Sequence, residues 1–378
     1  MNSAILLPIR KNDKWGFIDS EGNILIKPQF DDVYGIDKKI YPTALVISSY
    51  KAPYRFFEDM AAVKIKDKWG FINKSGDIVV EPKFDKPSCF GGDIAIVELD
   101  GKLLIIKKEG EKVRELGKAK YPGHVYTAFN EEVCAIGIND KWGFIDKYGD
   151  VIIEPQFEEC KIFSEGFAAV KIKDKWGYVD KSGNVIIEPL YDFGGHFSER
   201  LALVSIKRIN GFIDKKGDRV VKLKYAFAGH FKEGLAYIAT EHRRDEINWF
   251  GGWGYINNKG ETMISNSAFC WVYPFKEGLA KVEIEINDKS TFINKLGEFI
   301  AEPKYDFCHW FSEGFAAVSI NNKWGFIDKT SEIIIDCRFD GAQSFYDGIA
   351  SVKIQGKNGC MKDGYIDTHG DYIWEPSK

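Results

Sequence analysis

Paired cysteines are missing from this sequence. Its seven cysteines, Cys89, Cys134, Cys160, Cys270, Cys308, Cys337 and Cys360, are odd in number and none stands at CxxC spacing from another. That argues against a disulfide framework and against a zinc ribbon; buried free thiols in a reducing compartment are the expectation. Long apolar runs are missing as well. The stretch Met1 to Arg10 is too short for a signal segment or a membrane span, so a cytoplasmic chain without membrane insertion is expected. Charge of one sign is also lacking. Lys and Arg number 52 against 56 Asp and Glu, for a net charge of −4, and the two signs are mixed, which speaks against a nucleic-acid partner. There is no GxSxG, no P-loop, no GxGxxG after a strand and no HExxH. No long stretch has helical periodicity.

What is present is apolar and repetitive. Hydrophobic residues make up 44% and aromatics 15%, enough for a sizeable core. Trp-Gly recurs at Trp15, Trp69, Trp142, Trp176, Trp253 and Trp324, and the same frame continues through Leu103, Asn210, Ser290 and Asp363. The commonest spacing between these anchors is 34 residues. Seven residues past nearly every anchor stands Gly, Ser331 being the exception; thirteen past stands Pro at Pro28, Pro82, Pro155, Pro189, Pro303 and Pro376. An aromatic follows that Pro by two at Phe30, Phe84, Phe157, Tyr191 and Tyr305. A second block, F-x-E-G-Φ-A-x-Φ, precedes most anchors, as in the segment beginning at Phe163; its related copies include one read from Phe57. Ten units in one frame make a single array over residues 1–378.

Each unit reads as three short strands. Around Trp176 these are Phe167 to Lys173, Trp176 to Asp180 and Val185 to Glu188, with a turn at Asp174-Lys175 and a left-handed Gly183 in the second hairpin. Pro189 is expected to end the pairing. Apolar residues on both faces require neighbours on both sides, so the Trp residues read as core, and the Gly after each Trp as a place where the next sheet comes close. Stacking such sheets gives a solenoid or a propeller.

The strings KWGFIDSEGNILIKPQFD, KWGFINKSGDIVVEPKFD, KWGFIDKYGDVIIEPQF and KWGYVDKSGNVIIEPLYD resemble the bacterial WG-repeat family, also called KWG repeats. The resemblance spans almost the whole chain. It implies an all-β tandem array of variable repeat number with an interaction role, and it carries no catalytic residues. By that analogy an open β-solenoid or superhelix is expected, with a closed β-propeller as the alternative.

Departures from the frame are where function is sought. The insertion at 31–56 carries Tyr34, Tyr41, Tyr50, Tyr54 and Arg55; that at 111–128 carries Tyr121, His124 and Tyr126. The insertion at 240–252 offers Arg243, Arg244, Trp249 and Phe250, residue types enriched at binding hot spots, as a candidate partner-binding loop. His196 and His230 hold equivalent places in adjacent units, with His309 one position off; stacking would bring the first two together. Two candidates are too few for zinc, so no metal and no cofactor are expected. The repeated Asp and Gly of D-K-x-G read as turn chemistry rather than a calcium loop, and the repeated Glu of F-x-E-G as scaffold rather than general acid. The expected function is a non-catalytic scaffold with a protein partner. A carbohydrate or cell-envelope module would instead show exposed aromatics in shallow repeated pockets. An enzyme of propeller type would show polar residues of several units converging.

Overall fold

The computed structural model describes residues 5–34, 56–118, 129–242, 250–284, 289–356 and 359–375, and all regular elements among them are strands. They form ten small antiparallel sheets, six of four strands and four of three. The chain divides into two compact units, Met1–Pro189 and Leu190–Lys378. Sheets 1 to 5 span 7–30, 32–84, 94–118, 133–157 and 159–191; sheets 6 to 10 span 193–225, 227–265, 269–294, 307–339 and 341–374.

Sheet 5 shows the pattern. A two-residue strand, Glu159–Cys160, is followed by Phe167–Ile172, Lys175–Asp180 and Val185–Tyr191, paired in chain order. The short edge strand adds to the three-strand reading; two residues display no periodicity that a sequence can reveal. The turns are set by backbone conformation. Lys173 and Asp174 both have positive φ, as do Glu165 and Gly166, so both hairpins turn through the left-handed conformation that matches strand twist. The first of these turns lies one residue earlier than expected.

No described strand pairs outside its own sheet, and every described pairing is antiparallel. A β-solenoid would continue its backbone ladder from one turn into the next. Here the ladder is completed inside each sheet, and within each compact unit successive sheets meet by their faces. The expected open solenoid is therefore corrected: the sheets are blades of the propeller kind, the alternative reading.

The last long strand also corrects an expectation. Pro189 does not end pairing, because the strand Val185–Tyr191 runs two residues past it, as Val151–Phe157 runs past Pro155. Trp142 pairs with Phe157 and Phe144 with Ile153, with a register shift between, and Pro155 sits in that bulge, where no ladder N–H is needed. The bulge explains the Gly after Trp. A Cβ on Gly143 would lie 2.5 Å from the Ile153 carbonyl oxygen and 2.7 Å from the Pro155 nitrogen. The close approach is made by the sheet's own third long strand and not by the next sheet.

Packing between sheets follows from the second block. In each unit a separate apolar core fills the gap between successive sheets, such as Phe71, Val80 and Phe84 of sheet 2 against Phe90, Ala95 and Val97. The Phe two residues after the anchor meets the Phe of the next F-x-E block edge to face: Phe144–Phe163 at 4.8 Å, Phe212–Phe231 at 4.7 Å, Phe292–Phe311 at 4.8 Å. In sheet 1 the partner of Phe17 is Phe56, so that copy of the block begins at Phe56 and not Phe57. Trp15, Trp142, Trp176 and Trp253 are buried, Trp69 and Trp324 half-buried. Each buried aromatic contributes roughly 1.5–3 kcal/mol.

Polar residues tie the sheets at their ends. Glu277 accepts the N–H groups of Glu313 and Gly314 in the next turn, and Glu313 does the same for Asp347 and Gly348. Glu131, Glu199 and Glu233 accept from Gly166, Gly234 and Gly278. Asp85, which follows the strand-ending Phe84, accepts from Lys68 of its own sheet and from the N–H of Asp100 in the next. The hairpin Asp180 accepts from the N–H groups of Ser182 and Asn184, as the turn reading requires.

Candidate functional site

Sheet 8 breaks the repeat frame at several paired positions at once. Its anchor is Ser290-Thr291 where other sheets have Trp-Gly. Thr291 has a side chain where the Trp-Gly sheets have Gly, and the bulge made there by the third long strand is not formed. Thr291 donates to the Ala301 carbonyl at 2.7 Å, and the expected strand is reduced to isolated bridges Ser290–Tyr305 and Ile293–Phe299.

The indole's place is taken by charge. Glu283 pairs across from Ser290 on one side and from Trp271 on the other. Two residues before it, on the same face, Lys281 occupies a position held by Ala62, Ala135, Ala169 and Ala317 in sheets 2, 4, 5 and 9. Lys281 Nζ is 3.0 Å from Glu283 Oε1, and the two side chains are 12% and 33% exposed. The Tyr273 hydroxyl donates to the same Oε1 at 2.9 Å, and the Lys281 ammonium lies 4.3 Å from the Tyr273 ring centre. Burial first, and then the Glu283 charge, pushes the Tyr273 phenol well above its ordinary value, so it stays a proton donor.

In the short strand of sheet 9, Phe307–Cys308, Cys308 faces sheet 8 and shares an apolar core with Leu279 and Phe292. Burial pushes the Cys308 thiol up to about 12 despite the pull of Lys281, so it is a poor nucleophile. His309 keeps an open surface, yet the protein around it, and after that the Lys281 charge, push its imidazole down. The His309 ring centre lies 5.0 Å from that of Trp324, and the Phe307 ring is nearly parallel to the same indole with centres 6.5 Å apart. Phe307 is 60% exposed and Trp310 42%.

The residues chosen from sequence fall elsewhere. Arg243, Arg244 and Trp249 lie outside the described residues; Phe250 begins the strand Phe250–Ile256, and its side chain is outside them too. Tyr41, Tyr50, Tyr54, Arg55, Tyr121, His124 and Tyr126 are likewise outside. Tyr34 packs edge-on against Trp69 at 6.1 Å. The first residues of the 111–128 insertion are not an insertion, since Lys112–Lys118 is the third long strand of sheet 3. His196 and His230 do meet, their rings stacked at 3.9 Å. Among the described residues no group of three His, Cys, Asp or Glu is placed to hold a metal. Tyr273, Lys281 and Glu283 were legible only as Lys281 in LAKVEI, set against FAAVKI in the unit of Trp176.

The family described as WG containing repeat matches residues 15–42, 69–102, 142–176, 176–207, 211–239, 253–289, 291–324 and 324–357. No curated protein matches the chain. Among solved structures, a crystal structure of the eukaryotic initiation factor is similar with a TM-score of 0.51 at 11% identity, over 83% of this chain and 94% of that one. Dihydro-heme d1 dehydrogenase NirN in complex with DHE is similar at 0.40 and 13% identity, over 97% of this chain and 72% of the other. Apo AztD from Citrobacter koseri is similar at 0.34 and 13% identity, over 82% and 92%. The first is a likeness of fold alone.

Proposed function

The chain belongs to the WG containing repeat family, and on that premise we propose that it is a non-catalytic scaffold that holds protein partners along the third long strands of its sheets. One observation carries the reading. In sheets 1, 2, 5 and 9 that strand is an edge of its sheet and opens with two consecutive exposed apolar residues: Ile24-Leu25, Ile78-Val79, Val185-Ile186 and Ile333-Ile334. Lone exposed apolar side chains are ordinary, but a pair on an open strand edge, repeated in one frame, is an adhesive feature. The third residue of each run, such as Ile187, is buried, so the pair adds nothing to the core.

The test is affinity capture with the full chain. Replacing Ile78, Ile186 and Ile334 together by Lys is expected to abolish capture of the partner while the thermal midpoint holds. An unchanged captured set would reject the reading. Deleting 240–252 in parallel assigns any remaining contribution to that loop; no change there removes the loop from the proposal.

A further inference from the structure

In most units the hairpin between the second and third long strands carries a Lys five residues past the anchor. In several sheets that Lys docks on a turn of the sheet before. Lys181 of sheet 5 reaches the Glu131 carbonyl oxygen at 2.9 Å and its carboxylate at 3.4 Å. Lys295 of sheet 8 meets Glu233 in the same two ways, at 2.9 Å and 3.3 Å. Lys329 of sheet 9 lies 3.2 Å from the Glu277 carboxylate. Each of these Glu side chains therefore serves an ammonium as well as the backbone N–H of the next turn.

Sheet 7 breaks this rule. Its hairpin carries Asn258, shorter and uncharged, where the Lys of the frame would stand. Glu199 of sheet 6 is the Glu in line for that Lys. It keeps its bond from the Gly234 N–H at 2.9 Å, but among the described residues no cation pairs with it. Between Glu199 and Asn258 lies a half-open cavity of about 280 Å³, whose wall also includes Arg200, Lys216, Leu201 and Val220. All of it belongs to the second compact unit.

The charges on the wall define what fits. Glu199 presents a carboxylate where the frame supplies an ammonium. Asp214, the other carboxylate of the wall, already accepts the N–H groups of Lys216 and Asp218. Arg200 stands where sheets 5, 7 and 8 have Gly166, Gly234 and Gly278, and Lys215 and Lys216 line the same space. A metal ion or a simple amine would meet Glu199 but also three like charges. A simple anion would leave Glu199 without a partner. A ligand that carries both charges suits both sides, its ammonium on Glu199 and its carboxylate toward Arg200 and Lys216. Leu201 and Val220 add an apolar wall for a short aliphatic chain.

We propose that the cavity between sheets 6 and 7 binds a free α-amino acid with an aliphatic side chain, whose ammonium takes the place of the missing lysine. The site stands on the turns of sheets 6 and 7. The protein-scaffold reading rests on the strand edges of sheets 1, 2, 5 and 9, so either proposal can fail without the other.

The experiment is calorimetric titration of the full chain at neutral pH with L-alanine, L-valine and L-leucine, and with propylamine and propionate as probes of one charge each. Saturable binding is expected for at least one amino acid, with both single-charge probes weaker by about tenfold or more. Asn258→Lys restores the residue of the frame, so it is expected to hold the thermal midpoint and to abolish binding. Glu199→Gln is expected to weaken binding about tenfold. No heat with any of the three amino acids, a single-charge probe that binds as tightly as they do, or undiminished binding in Asn258→Lys overturns the proposal. Should Asn258→Lys fail to fold, Glu199→Gln decides, and unchanged affinity there overturns it.

Discussion

At the scale of the residue, the Gly of Trp-Gly is the tightest constraint. Gly177 faces the Ile187 carbonyl oxygen at 2.5 Å and the Pro189 nitrogen at 2.8 Å, both measured from where a Cβ would stand. These are backbone atoms in a bulge and cannot swing aside. Gly177→Ala is therefore expected to lower stability by about 1–3 kcal/mol, read as a drop in the denaturant midpoint with the slope unchanged. An unaltered midpoint would mean that the bulge relaxes freely. Two sheets lack that Gly: in sheet 8 Thr291 stands there and the third long strand no longer pairs as one, whereas in sheet 3 Leu104 stands there and the strand Lys112–Lys118 pairs with its register shifts at other positions. The sequence marked the Gly as a site of close approach, but which backbone approaches was not legible. The bulge that brings Pro189 back onto Gly177 depends on pairing across the hairpin.

At the scale of the element, the turn between sheets behaves as a charged clasp. Burial alone would raise the Glu277 carboxyl, but the N–H groups of Gly314 and Glu313 and the Lys329 ammonium outweigh it and hold the group below its ordinary 4.5. A depressed native value means that the unfolded chain binds the proton more readily. The clasp then contributes fully above about pH 4.5 and is lost as pH falls through the native value. Glu277→Gln is expected to cost ~1 kcal/mol at about pH 7, and the gap to wild type should close at about pH 3. Urea midpoints at both conditions check this; a gap that persists in acid would assign the loss to shape and not to charge. The repeated Glu was legible as scaffold because it recurs. Its partner one repeat further on became visible only once the turns were placed in space.

At the scale of the whole molecule, the thiols report how the sheets exclude water. None of the seven is in a disulfide; Cys134 and Cys308 are buried, Cys360 is exposed and the rest are half-buried. Burial pushes the Cys89, Cys134 and Cys308 thiols up to about 12. An alkylating reagent at neutral pH is expected to label Cys360 first and to leave Cys134 and Cys308 unlabelled until the chain is denatured. Mass spectrometry of timed samples would read the order, and early labelling of Cys308 would show that sheets 8 and 9 open readily. The expectation of buried thiols thus holds for two positions and fails for Cys360.

The sequence by itself determined the unit: its three long strands, the left-handed Gly of its second hairpin, its Trp and Phe core and its number of copies. These depend on interactions between residues close along the chain, and such interactions leave a period that repetition makes legible. Tertiary structure alone decided that the sheets close their own ladders and, within each compact unit, meet by their faces, and that Tyr273, Lys281 and Glu283 gather where an indole is missing. Both outcomes turn on which backbone meets which across a hairpin, and residues joined that way share no spacing along the chain.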